Sequence, residues 1–167
     1  MNINFRLRKE CYCIDLRRAL VFSGIILLLG MLVRFCSGDT HIYTLLLLPR
    51  FAPNIGGYII LGTLFYILMG FALELFISNA PCFSREKFIS VSMCICAILL
   101  SYLRHFFFFW ANAFFLSFIV ALVTCIILAF ALLRMTRLCF PSAVIVLLYL
   151  VWNVYIGFVN FCIFLLN

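Results

Sequence analysis

The sequence predicts an all-α integral membrane protein, a bundle of five transmembrane helices. Two observations carry this. Hydrophobic residues make up 68% of the 167 and charged residues only 10%, with a mean hydropathy of +1.29; soluble domains run at about 45–50% and about 25%. So few charges do not cover a water-soluble fold, and the surplus apolar surface must face lipid. Second, the apolar residues fall in stretches long enough to cross a bilayer, about 20 residues for about 30 Å of hydrocarbon. They do not alternate with polar residues, as transmembrane β-strands would.

A basic segment, residues 1–18, comes first, with Arg6, Arg8, Lys9, Arg17 and Arg18. The first span is Ala19–Cys36. Its basic approach is that of a signal peptide, but the leading region is overlong and no small-x-small site closes the apolar run. The helix is therefore expected to stay. The second span is Ile55–Ile77, the third Phe88–Trp110, the fourth Phe114–Leu133 and the fifth Ser142–Leu166. Only Ala111–Ala113 separates the third from the fourth. Residues 19–167 thus form one membrane domain, with no room for a soluble catalytic domain. Arg85 and Lys87 follow the second span, and Arg134 and Arg137 the fourth, on the side of the N-terminal cluster. The other side offers Arg34, Arg50 and Arg104. The positive-inside rule then places the N-terminus in the cytoplasm and the C-terminus outside. The net charge of +7 expresses that bias and an affinity for anionic lipid headgroups. No continuous basic patch points to nucleic acid.

The nine cysteines do not make a disulfide framework. Their number is odd, and Cys36, Cys94, Cys96, Cys125 and Cys162 sit in or at apolar spans, where Cys acts as a small apolar residue. Cys11 and Cys13 are membrane-proximal and suited to lipidation. Without partners at zinc-finger spacing, no metal site is expected. There is no P-loop, dinucleotide glycine pattern, His-Glu-x-x-His or serine elbow, so no catalytic residue is assigned. Glu74, near the cytoplasmic end of the second span, is expected to be an interfacial carboxylate pairing with Arg85 or Lys87. Arg104 and His105 admit two readings: snorkelling to the interface, or ionisable groups working inside the membrane.

Aromatic residues carry more information than charges. Phe107, Trp110 and Phe114 share one helical face. Trp152, Ile156 and Asn160, spaced by four, share another. Gly62, Tyr66 and Gly70 make a small–large–small stripe that lets another backbone or a flat ligand come close. Ordinary interhelical packing and a cavity walled by π faces both fit this spacing.

The stretch Pro49-Arg50-Phe51-Ala52-Pro53-Asn54, followed by Gly62 and then Tyr66-Ile67-Leu68-Met69-Gly70, resembles the TspO/translocator protein family, also called tryptophan-rich sensory protein or peripheral benzodiazepine receptor. That family reads P-x-W-x-P-P, a Trp, then L-Y-x-x-M-G, and the alignment needs no gap. Tyr43 matches the Tyr of the family's W-Y-x-x-L-x-x-P. Trp110-Ala-Asn-Ala-Phe114-Phe115 is similar to W-x-x-x-F-F, and Tyr149, Trp152, Asn160 and Asn167 to the family's C-terminal P-Y-x-x-W…L-N…L-N. The resemblance implies a five-helix bundle, often homodimeric, with a cavity under the loop joining the first two spans. It implies porphyrin or haem as ligand, with no obligatory cofactor, and synthetic benzodiazepine or isoquinoline ligands. By position, Trp110, Trp152, Ile156 and Leu61 would wall the cavity with Phe107, Gly62 and Tyr66, and Tyr43, Pro49, Arg50 and Pro53 would shape the lid. Arg50 or His41 at the mouth would pair with a porphyrin propionate.

Several positions depart from the family. Gly62 replaces a tryptophan implicated in porphyrin breakdown. Phe107 replaces Asn, Leu103 replaces Gln, Phe51 and Phe164 replace tryptophans, and Leu148 replaces a proline. The pocket is therefore expected to be roomier beside Gly62 and less polar beside Phe107. Sterol is not an expected partner, since no Lys or Arg follows Tyr155 to complete the weak sterol pattern. Three function classes fit: a receptor or carrier for tetrapyrroles or similar flat hydrophobic molecules, a porphyrin-modifying enzyme with Trp110 and Trp152 as redox aromatics, and a divergent scaffold whose pocket is filled by phenylalanine. The expected location is a bacterial cell membrane, with a mitochondrial outer membrane as the alternative.

Overall fold

The computed structural model describes residues 15–37, 42–80 and 85–167. Its helices are α1 (Leu16–Cys36), the single-turn α2 (Ile42–Leu45), α3 (Ile55–Asn79), α4 (Arg85–Phe109), α5 (Phe114–Leu138) and α6 (Phe140–Leu166). All but α2 are long and apolar enough to cross a membrane. The helices outrun the apolar stretches at the basic end: α1 begins at Leu16, α4 at Arg85, and α5 continues to Leu138. A helix persists through polar residues until something ends it, whereas the hydropathy signal stops at the first charges. Residues 16–18 of the basic segment thus belong to α1. Cys11, Cys13 and His41 lie outside the described residues.

Local chemistry sets the boundaries. The Asp15 carboxylate accepts from the Arg17 backbone N–H at 3.1 Å, capping the orphan donors of α1. Asn54 Oδ1 does the same for α3, taking the Gly57 N–H at 2.7 Å. Pro141 sits in the first turn of α6, where a missing N–H costs nothing. Between α4 and α5 the chain turns at Asn112, whose φ of 51° is left-handed and suits an asparagine.

Packing runs in a ring: α1 on α3, α3 on α6, α6 on α5, α5 on α4, with α4 meeting α1 and α3 only lightly. The α4–α5–α6 side is close-set. Leu128, Met135, Val146, Ile156 and Ile163 are fully buried there, and Gly157 lets α6 approach Ala121 of α5. In contrast α1 buries only Ala19, Ser23 and Ile26. Lipid offers no water to polar groups, so they must find partners within the bundle. Ser142 Oγ donates to the Ala72 carbonyl at 2.7 Å, Tyr149 OH to Ser101 Oγ at 2.8 Å and Asn160 Nδ2 to Ser117 Oγ at 2.9 Å.

At the basic end Arg134 pairs with Glu86. Glu74 is not the interfacial carboxylate expected. It lies in the fully covered run Ala72–Phe76 of α3 and accepts from Ser78 Oγ at 2.6 Å. Lys87 reaches the carbonyls of Ile77 and Ala80 at 2.6 and 3.3 Å, where the exposed acceptors at a helix C-terminus attract a cation.

Candidate functional site

The stripe on α3 extends one turn further than its glycines suggest, as Tyr58, Gly62, Tyr66 and Gly70, spaced by four on one face. At Gly70 a backbone makes the close approach. A side chain there would meet Ser23 of α1, whose Oγ donates to the Ile67 carbonyl at 3.0 Å. At Gly62 nothing lies within 4 Å of an added Cβ. The space beside it forms two small cavities. One, about 50 Å³, lies among α1, α3 and α4, bordered by Gly30, Arg34, Tyr58, Gly62, Tyr102 and His105. The other, about 10 Å³, lies deeper, against Gly62, Arg104, Tyr149 and Trp152. Tyr58, Gly62, Tyr66 and His105 border both.

Tyr58 is the hub of the site. Its ring lies 5.9 Å from Tyr43, 5.3 Å from His105, 6.0 Å from Phe109 and 6.4 Å from Trp152. Its hydroxyl accepts from Arg104 Nη1 at 3.3 Å and stands 3.5 Å from His105 Nδ1. Trp152 is 8% exposed and stacks on Phe65 at 5.4 Å. Arg104 is 3% exposed, so its guanidinium turns into the bundle and does not snorkel. The helical face of α4 decides this: Ala97, Ser101, Arg104 and Phe108 share the buried side.

Against Tyr58 packs α2 through Tyr43, and α2 with the loop that follows it is tied from three directions. Tyr43 OH donates to the Pro53 carbonyl at 2.8 Å, and Tyr155 OH to the Phe51 carbonyl at 2.7 Å. Asn167 Oδ1 accepts from the Leu47 N–H at 3.0 Å. Phe51 also stacks on Phe158 of α6 at 5.4 Å. Burial, then the neighbouring Tyr58 and Tyr155 hydroxyls, push the Tyr43 phenol up to about 12, so it stays a donor through alkaline pH.

Of the residues the sequence singled out, Gly62, Tyr66 and Trp152 border the cavities; Tyr43 and Pro53 border neither and bond each other in α2 and the loop after it. Pro49 and Arg50 belong to the same loop, with Arg50 exposed. Ile156 is fully buried in the core and borders neither cavity. Leu61 is exposed. Trp110, just past the end of α4, is 61% exposed and stacks on Phe106 at 4.8 Å; neither it nor Phe107 borders a cavity. The polarity missing at Leu103 and Phe107 stands one and two residues on from Leu103, at Arg104 and His105. Sequence reasoning missed Tyr58, Tyr102 and Tyr155; the four-residue stripe on α3 was the signal for Tyr58. Among family models, that of the TspO/MBR family matches residues 21–166. No curated protein matches.

Proposed function

Because the chain belongs to the TspO/MBR family, we propose that it is a membrane receptor or carrier for a porphyrin-like, flat hydrophobic ligand held between α1, α3 and α4. One observation carries this reading: aromatic rings from α2, α4 and α6 converge on Tyr58 of α3, which borders the same cavities as the open space at Gly62. Planar π faces suit a planar apolar guest. At about 50 and 10 Å³ the cavities have room for one or two waters at most, at about 30 Å³ each, whereas ligand pockets run at about 300 Å³ or more. Binding therefore needs α1 to swing away from α4 above its crossing at Gly70. The weak α1–α4 contact and the thin burial of α1 make that the softest seam of the ring.

The same smallness favours a second reading, a family scaffold that takes no tetrapyrrole. Tryptophan fluorescence of the purified protein during protoporphyrin IX titration separates the two. Saturable quenching in the micromolar range, weakened in Trp152→Phe, supports the receptor or carrier. Quenching that never saturates supports the scaffold. The basic residues Arg17, Arg18, Arg85, Lys87, Arg134 and Arg137 gather at one end of the bundle, which supports a cytoplasmic N-terminus in a bacterial cell membrane.

A further inference from the structure

Arg104 is a cation buried in a membrane bundle without a counter-ion among the described residues. The carboxylates among the described residues are accounted for elsewhere: Asp15 pairs with Arg18, Glu86 with Arg134, and Glu74 lies sixteen residues down α3 from Tyr58, about 24 Å at the helical rise. Arg104 Nε has no hydrogen-bond partner. Its one described side-chain bond, to Tyr58, is 3.3 Å long and correspondingly weak. Intramembrane arginines normally face a partner or a polar cavity, because an unpaired charge in hydrocarbon is strongly disfavoured. This one borders the deeper cavity, together with Gly62 and Trp152. A second cation, Arg34, borders the outer cavity.

We propose that Arg104 and Tyr58 form a recognition point for the carboxylate of a ligand whose remaining body is apolar. A guanidinium presents paired N–H donors that match a carboxylate's two oxygens. The Tyr58 hydroxyl, already beside the guanidinium, adds a third donor. The aromatic walls then take the apolar body. This rests on the proposed porphyrin-like ligand, since porphyrin acids carry such carboxylates, but a fatty acid offers the same group. The site thus selects free acids over their esters.

The test uses the full chain in nanodiscs of zwitterionic lipid, with protoporphyrin IX, its dimethyl ester and dodecanoate as probes. Wild-type protein is expected to bind the free porphyrin at least tenfold more tightly than the ester. Arg104→Met should erase that ratio by weakening the acid alone, and Arg104→Lys should keep part of it. If Arg104→Met is not monodisperse, the ratios of wild type and Arg104→Lys answer the same question. Equal, saturable binding of acid and ester by wild type overturns the proposal and leaves the tetrapyrrole reading standing. Binding of dodecanoate alone, lost in Arg104→Met, keeps the carboxylate site and removes the tetrapyrrole. Binding of none of the three overturns both.

Discussion

Gly70 and Gly62 sit two turns apart on one face of α3, and the bundle uses them in opposite ways. At Gly70 the backbone of α1 presses in at Ser23. At Gly62 there is only space. The tyrosines between them cause the difference. Tyr66 and Tyr102, with centroids 5.0 Å apart, stand under Gly30, where an added Cβ would meet both rings at 3.3–3.4 Å. Tyr102 also donates to the Ile26 carbonyl at 2.5 Å. The pair acts as a wedge: α1 touches α3 below it and is held off above it. In a bilayer, where lipid is as apolar as the side chains, such steric detail and a few hydrogen bonds decide where helices meet.

Breaking the closed end should have the largest effect. Gly70→Ala places a methyl against the Ser23 backbone, which cannot rotate aside as a side-chain tip would. Overpacking of this kind costs about 3 kcal/mol, read as a lower melting temperature of the purified protein. It should also free Ser23 from the Ile67 carbonyl and loosen α1 as a unit. Unchanged melting would mean that α1 slides on α3 without penalty, and that the crossing is no pivot.

The open end hides a tension of the opposite sign. Arg104 is buried beside the cavities without a counter-ion among the described residues. Replacing it with Met, of similar length, removes an unfavourable charge and should stabilise the ligand-free protein by about 2 kcal/mol. A structural arginine would give a loss instead. A gain in melting temperature together with a loss of acid preference marks a residue kept for recognition.

The α2 loop responds to pH. Tyr43→Phe removes the bond to the Pro53 carbonyl and should cost about 1 kcal/mol. In the wild type the folded phenol is pushed up to about 12, whereas an unfolded one ionises near 10. Above pH 10 the unfolded chain therefore holds fewer protons, and stability falls with rising pH. This contribution is whole below pH 10 and lost on the way to pH 12. Melts at pH 9, 10 and 11 should fall less steeply in Tyr43→Phe than in wild type.

How much of this the sequence made legible depended on the scale of the signal. Span number and order follow from hydropathy over some twenty residues, and the five long helices match them. Helix faces are set by single residues, and alignment to a family pattern does not fix them. It put Phe107 and Trp110 on the cavity side, yet the buried positions of α4 run through Ser101, Arg104 and Phe108. A shift of one residue turns a helical side chain by about 100°, enough to exchange cavity for lipid. Glu74 failed for a related reason. Its distance from the helix end suggested an interface, but the depth of a residue in a bundle depends on which neighbours cover it. Tyr155 and Asn167 were legible only as residue types, since their partners are loop backbone groups with no pattern of their own.

Gly62→Ala gives the smallest effect and the cleanest contrast with Gly70→Ala. The same methyl, on the same face of the same helix, meets nothing within 4 Å. No contact is lost and no neighbour must move, so the change acts through the unfolded chain, which has fewer conformations to surrender. Gly62→Ala should therefore stabilise by about 0.5 kcal/mol, against the large loss at Gly70. The sign matters more than the size. A loss at Gly62 would mean that a neighbouring ring occupies this space in solution, and that the wedge of Tyr66 and Tyr102 does not hold α1 away. A gain, with protoporphyrin IX affinity reduced by the same methyl, would place the guest against Gly62, in the cavity that Trp152 and Arg104 also border.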